Sequence, residues 1–308
     1  MFPEHMHGRW AAVAEQADDL QEIRLRVNRP ASVLLAGRER FVDEDGRLMD
    51  MPPQTALTEA KDLEMILKHL CQYSVYAFAD EIRQGFLTIQ GGHRVGLAGQ
   101  VILEETDKIR NLKYICYLNI RIAHEIKGVS DSLLPWLYDC EGTVYNTLLI
   151  SPPGCGKTTM LRDLVRNVSD GNAYGRGANV SVVDERSEIA GSYLGVAQND
   201  VGIRTDVLDG CPKREGMMML IRAMAPQVLA VDELGSDGDI QALRTASGCG
   251  CRLIATIHGS SLDEIKNKNY MRNVISDGLF DRYVVLTRKN GCCEVEGIYN
   301  GDGMRCLK

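Results

Sequence analysis

The stretch Ser151-Pro-Pro-Gly-Cys-Gly-Lys-Thr-Thr159 limits what this chain can fold into more than any other, because an apolar run ends there and a helix begins. Thr147-Leu-Leu-Ile150 reads as a buried strand, and Met160 to Val168 as a helix with its apolar residues on one face. The loop between them has the composition of a phosphate cradle. Gly154 and Gly156 permit backbone angles that turn successive N–H groups inward, and the helix N-terminus adds partial positive charge. Pro152 and Pro153 carry no N–H, so the donors must come from Gly154, Cys155, Gly156, Lys157, Thr158 and Thr159. Lys157 is expected to reach the β- and γ-phosphates, and Thr158 to offer its hydroxyl to Mg²⁺. Ser151 stands where this motif normally has its first glycine.

A glycine-rich turn ending in Lys-Thr by chance is the plain alternative, and a second motif argues against it. Val228-Leu-Ala-Val231 is an apolar run that ends in two carboxylates, Asp232 and Glu233. In a nucleoside triphosphatase the first would hold Mg²⁺ through water and the second would polarise the attacking water.

Three more candidates fall just past the ends of expected strands, where ligands bind in parallel sheets. They are Asp184 and Glu188 in the acidic stretch Asp184-Glu-Arg-Ser-Glu188, and His258 after Leu253-Ile-Ala-Thr-Ile257. The carboxylates could orient water or reach Mg²⁺, and His258 could sense the γ-phosphate. Arg222, on the helix before Val228–Val231, is a further candidate, while its neighbours Met217 to Ile221 read as core packing. No arginine near the tail of the second half suggests itself as a charge stabiliser. Arg94, Arg110 and Arg121, in or beside turns of the first half, could act across a subunit boundary.

The expected strands 147–150, 180–183, 228–231, 252–257 and 283–287 alternate with helices, which gives an α/β, RecA-like P-loop domain with a mostly parallel sheet over residues 146–308. A smaller α+β domain over 1–127 precedes it, joined by a linker helix and loop over 128–145. In the first domain, residues 1–18 read as an amphipathic helix with Met6, Trp10, Val13, Ala14 and Ala17 in one stripe. Residues 21–27 and 32–36 read as strands and 43–56 as a loop. Thr58 is expected to cap a helix that buries Leu63, Ile66, Leu67 and Leu70. A second helix covers Ser74–Arg83. A hairpin turns at Gly91-Gly-His-Arg94 between Phe86–Gln90 and Val95–Leu103, and Tyr114–Ala123 forms a further strand.

Composition narrows the class. A net charge of −7 and a pI near 5.5 argue against broad nucleic-acid binding. No apolar run approaches the roughly 20 residues that span a bilayer, and the N-terminus lacks a secretion signal, so a cytoplasmic protein is expected. The ten cysteines include no Cys-x-x-Cys pair, which favours reduced thiols over zinc. Cys155 lies inside the phosphate loop, so its alkylation is expected to block nucleotide binding.

These motifs together resemble the secretion-ATPase superfamily: Walker A at 151–158, an acidic box at 184–188, Walker B at 228–233 and a histidine box at Thr256-Ile-His-Gly-Ser260. Within it, Glu22-Ile-Arg-Leu-Arg-Val-Asn-Arg-Pro30, Gly92-His-Arg-Val-Gly-Leu97, Val183-Asp-Glu-Arg-Ser-Glu-Ile-Ala190 and Ala230-Val-Asp-Glu-Leu-Gly235 look like the stage III sporulation protein AA family. The similarity runs over nearly the whole chain. It implies an ATPase using ATP and Mg²⁺, cytoplasmic in the mother cell of an endospore former and recruited to the membrane by an integral membrane protein of a sporulation channel. It also implies a hexamer. By the same resemblance Glu233 matches the Walker B glutamate, His258 the histidine box, and Asp184 and Glu188 the acidic box. Asp232 stands where secretion ATPases often have glycine. A RecA-like nucleic-acid-handling ATPase and an ATP-gated scaffold with little hydrolysis are the competing readings.

Overall fold

The computed structural model describes residues 1–104, 109–289 and 292–307. Contacts divide the chain into two compact units, Met1–His124 and Glu125–Lys308.

The first unit contains helix α1 (His7–Ala14), strands β1 (Leu20–Arg26), β2 (Ala31–Leu35), β3 (Arg38–Val42) and β4 (Leu48–Met49), helices α2 (Ala60–Leu70) and α3 (Ala79–Arg83), and strands β5 (Phe86–Ile89), β6 (His93–Leu103) and β7 (Ile109–Arg121). The strands pair antiparallel in one sheet, in the order β4-β3-β2-β1-β7-β6-β5. The alternation of β1 buries Ile23 and Leu25, while Arg24 turns outward to an ion pair with Glu22 at 2.6 Å. Helix α2 lays Leu63, Ile66, Leu67 and Leu70 on the sheet, the spacing of one helical face.

Several local features differ from expectation. The first helix stops at Ala14, because Ala14 and Ala17 are exposed and add nothing to the stripe of Trp10 and Val13. Its anchor is instead Phe2, stacked on Trp10 at 4.1 Å. Glu59, not Thr58, begins α2, in a capping box with Asp62 whose carboxylate accepts the Glu59 N–H at 3.0 Å. Thr58 is buried, and its backbone bonds Asn28 and Arg29. The segment expected as a loop over 43–56 contains β4. Ser74–Arg83 begins with a 3₁₀ turn and becomes α-helical only at Ala79. Arg94 and Arg121 lie within strands, directly opposite each other in the β6–β7 register, and Arg94 covers the Phe86 ring at 3.8 Å. Arg110 is exposed on β7.

The second unit contains helix α4 (Leu134–Leu137), strand β8 (Thr147–Ser151), helix α5 (Lys157–Asp170), strands β9 (Val180–Asp184) and β10 (Thr205–Asp209), helix α6 (Lys213–Met224), strand β11 (Val228–Val231), helix α7 (Asp237–Gly248), strand β12 (Arg252–His258), helices α8 (Leu262–Asn267) and α9 (Arg272–Ser276), and strands β13 (Arg282–Lys289), β14 (Cys292–Asn300) and β15 (Arg305–Leu307). The sheet order is β10-β9-β11-β12-β8-β13-β14-β15. The first six run parallel, and β14 and β15 add antiparallel at the edge. Alternate residues of each central strand enter two cores. Leu148 and Ile150 join Leu229, Val231 and Ala255 on one face, and Leu149 joins Val182, Ala230 and Ile254 on the other. That two-sided burial explains why these strands read as unbroken apolar runs.

The helix expected within the 128–145 linker is one turn, Leu134–Leu137, with Pro135 in its first positions. Its residues Leu133, Leu134, Leu137 and Tyr138 lie in the second unit's core. In α6 only Met217 and Leu220 of the methionine-rich run are fully buried, and Met219 is exposed. Among the described residues, no helix is long and apolar enough to cross a membrane.

Candidate nucleotide site

Strands β9, β11, β12 and β8 are consecutive neighbours and parallel, so their carboxyl ends meet at one edge of the sheet. The acidic stretch, the Asp232-Glu233 pair, His258 and the phosphate loop therefore converge although they are spread over a hundred residues of sequence. This is the edge where open α/β sheets bind ligands.

The loop is built as its sequence requires. Gly154 and Gly156 adopt φ of 71° and 82°, left-handed values that favour glycine. Gly156 is the residue from which α5 starts. Ser151 stays inside β8: it is buried and extended, it pairs with His258, and its carbonyl accepts the Gly259 N–H at 3.1 Å. No left-handed angle is needed there, so serine replaces glycine without strain. Cys155 is buried at 8% exposure, inside the loop.

A cleft of about 270 Å³ opens between the loop and Arg186, Glu188, Asp232, Glu233 and His258. At its floor the Lys157 Nζ lies 3.2 Å from Asp232 Oδ1, and the Thr158 hydroxyl donates to Asp232 Oδ2 at 2.7 Å. The Thr256 hydroxyl also donates to Asp232 and accepts the Glu233 N–H at 2.8 Å. Burial pushes the Asp232 carboxyl up, but the Lys157 ammonium and the two hydroxyls outweigh it and hold the group below its ordinary value. Glu233 adopts φ 54°, a strained angle for a non-glycine residue, and its oxygens meet His258 Nε2 at 3.1 Å and Arg186 Nη1 at 3.0 Å. Strain of this kind persists only where surrounding bonds enforce it, and it concentrates at functional sites.

The acidic stretch divides. Glu188 lines the cleft. Asp184 instead turns into its own loop, where it accepts the N–H groups of Glu188, Ile189 and Ala190 at 2.8, 3.0 and 2.8 Å. Burial raises its pKa to about 6 against those bonds. Its place is that of an anchor for the loop that carries Arg186 and Glu188. Arg162, on α5, fastens the same loop through the carbonyls of Ile189 and Glu188. Arg94 and Arg121 belong to the first unit.

The residues fit a nucleotide and a hard cation. The loop offers backbone donors, a buried lysine and a helix start. Thr158 and Asp232 bring a hydroxyl and a carboxylate together. Mg²⁺ is usually held by one or two protein oxygens plus phosphate and water, and among the described residues there is no cluster of three or more acidic, histidine or cysteine ligands that would suggest another metal. Thr256 and Arg186 have no role in the sequence reading. Thr256 was within reach of it, because it stands two residues before His258 on a strand and so shares its face.

Comparison with known proteins agrees with this architecture. A sequence model of "Sporulation stage III, protein AA" matches residues 10–306. Stage III sporulation protein AA of Bacillus subtilis (strain 168) is 40% identical over 304 residues, which cover 98% of this chain and 94% of that protein. The uncharacterized protein ycf45 of Porphyra purpurea is 32% identical over 58% of this chain and 30% of its own length. Among solved structures, the Legionella pneumophila ATPase DotB superposes with a TM-score of 0.59 at 14% identity, covering 98% of this chain and 82% of DotB. The pilus retraction motor PilT with bound ADP gives 0.60 at 14% identity, over 93% and 80%. At such identities the likeness is one of fold, a RecA-like P-loop domain preceded by a smaller α+β domain. By its match over almost its full length, the chain belongs to the stage III sporulation protein AA family.

Proposed function

We propose that this protein is a Mg²⁺-dependent ATPase that powers a secretion-like membrane assembly between mother cell and forespore during endospore formation. The observation that carries the reading is the pair of carboxylates held apart in role: Asp232 bonded to Lys157 and Thr158, and Glu233 strained outward between His258 and Arg186.

The backbone N–H groups of Gly154 to Thr159 and the buried Lys157 ammonium bind the phosphate chain. Thr158 and Asp232 would hold Mg²⁺, which when bound neutralises charge on the β- and γ-phosphates. Glu233 orients the attacking water and accepts its proton, while His258 and Arg186 fix which way that carboxylate points. Thr256 keeps Asp232 and Glu233 in register through one hydroxyl. Asp184 and Glu188 shape the acidic loop. Arg94 or Arg121 of a neighbouring subunit supplies the cation for the transition state, in a hexameric ring recruited from the cytoplasm by a membrane partner.

The test is sporulation of a host whose own relative is deleted, complemented with this chain or its Glu233→Gln variant. The account expects the variant to accumulate, bind Mg-ATP and fail to restore spores. Full spore formation by the variant would make hydrolysis dispensable and leave an ATP-gated scaffold as the better reading.

A further inference from the structure

The carboxylates and His258 all lie on one flank of the phosphate loop, toward β12, β11 and β9. The other flank is formed by β13 and β14. The parallel pairing of β13 with β8 ends at Val285–Ile150, so residues 286–289 continue alongside the segment in which β8 becomes the loop. There the exposed Arg288 donates from Nη1 to the Gly154 carbonyl at 3.4 Å. Its register partner Cys293 rests on the loop so closely that a Cβ on Gly156 would stand 3.2 Å from the Cys293 Cβ. The β13–β14 hairpin is therefore in contact with the phosphate loop on the side away from the chemistry.

A triphosphate is a linear chain. With its γ end at Glu233 and its middle on the loop, its nucleoside must leave on the opposite flank. Resting on the nucleotide reading above, we propose that Arg288 receives the nucleoside base, its planar guanidinium stacking on the base face. The bond to Gly154 sets the guanidinium beside the loop before nucleotide arrives. Stacking is tolerant of base identity, so Arg288 contributes to ATP and GTP alike.

The test compares binding of Mg-ATP, Mg-ADP and Mg-tripolyphosphate to the full chain and to Arg288→Gln by calorimetry, with melting temperature as the fold control. Arg288 is exposed, so the variant is expected to melt as the native protein does. The proposal expects ATP and ADP to weaken about tenfold, the scale of one lost stacking partner, with tripolyphosphate unchanged. Arg288→Lys, which keeps the charge and loses the plane, should weaken nucleotides nearly as much. Equal weakening of all three ligands would mean that Arg288 only shapes the loop, and no weakening would mean that it touches nothing; either overturns the proposal. If the native chain bound none of the three, the phosphate-loop reading itself would fail and take this inference with it.

Discussion

Asp184 ends β9 and Asp232 follows β11, the adjacent strand, and both carboxylates are largely out of water, at 2% and 16% exposure. Their protons are nevertheless held in opposite ways: burial raises Asp184 to about 6, whereas Asp232 lies below its ordinary value. The difference is in the partners. Asp184 is met by fixed amide N–H groups of its own loop, which offset burial only in part. Asp232 is met by an ammonium and two hydroxyls on side chains that can exchange partners when a ligand enters. Burial marks a carboxylate as important; its partners tell whether it anchors a loop or holds a ligand.

The largest effect that sharpens this contrast comes from Asp232→Ala. It leaves the Lys157 ammonium buried without its anion, a loss of about 3–5 kcal/mol for such a pair. Urea denaturation should show that loss, with Mg-ATP binding gone. Asp184→Asn should cost on the order of 2 kcal/mol, since an amide accepts fewer of the three N–H bonds, and it should leave the chemistry of Asp232 and Glu233 in place.

The pH dependence has a definite sign. Because the folded pKa of Asp184 exceeds its ordinary value of 3.8, the native state binds the extra proton. Its contribution is complete below about pH 4 and is lost as pH rises to about 6, amounting to about 3 kcal/mol. Asp232 acts the other way, and its contribution is lost as pH falls through and below the ordinary carboxylate range. Denaturation midpoints between pH 4 and 7 should show the falling component in the native chain and not in Asp184→Asn. An unchanged slope in the variant would remove the assigned difference between the two groups.

Thr256→Val removes the hydroxyl that joins Asp232 to the Glu233 backbone and should slow hydrolysis about tenfold, the equivalent of one lost hydrogen bond to a charged group. Ser151→Gly is the smallest change. Because Ser151 is extended strand, the substitution should lower stability by about 0.5–1 kcal/mol and leave activity alone. A gain in activity would show that the motif's usual glycine matters here.

The second unit was legible because its strands are buried on both faces and end in chemically distinctive residues. Strands β10, β14 and β15 fall outside the expected set, being short or only partly buried. In the first unit, β3 is mostly polar and β4 is only two residues long, and the Glu59 cap stands beside Thr58, a residue type that caps helices more often. The site's four motifs stood in the sequence, but two facts depended on coordinates. Asp184 points away from the cleft although Glu188 faces it, and Arg288 reaches the loop from a strand remote in sequence. Spacing can say which residues end strands; it does not say which way a carboxylate turns in the following loop.

The central claim is that Glu233 drives hydrolysis at a loop that binds nucleotide without it. Phosphate release and Mg-ATP affinity, measured side by side for the native chain and Glu233→Gln, test it most directly. The account predicts unchanged affinity and release slowed by about 10²–10⁴. Equal release rates, or a native chain that binds no nucleotide, would contradict it.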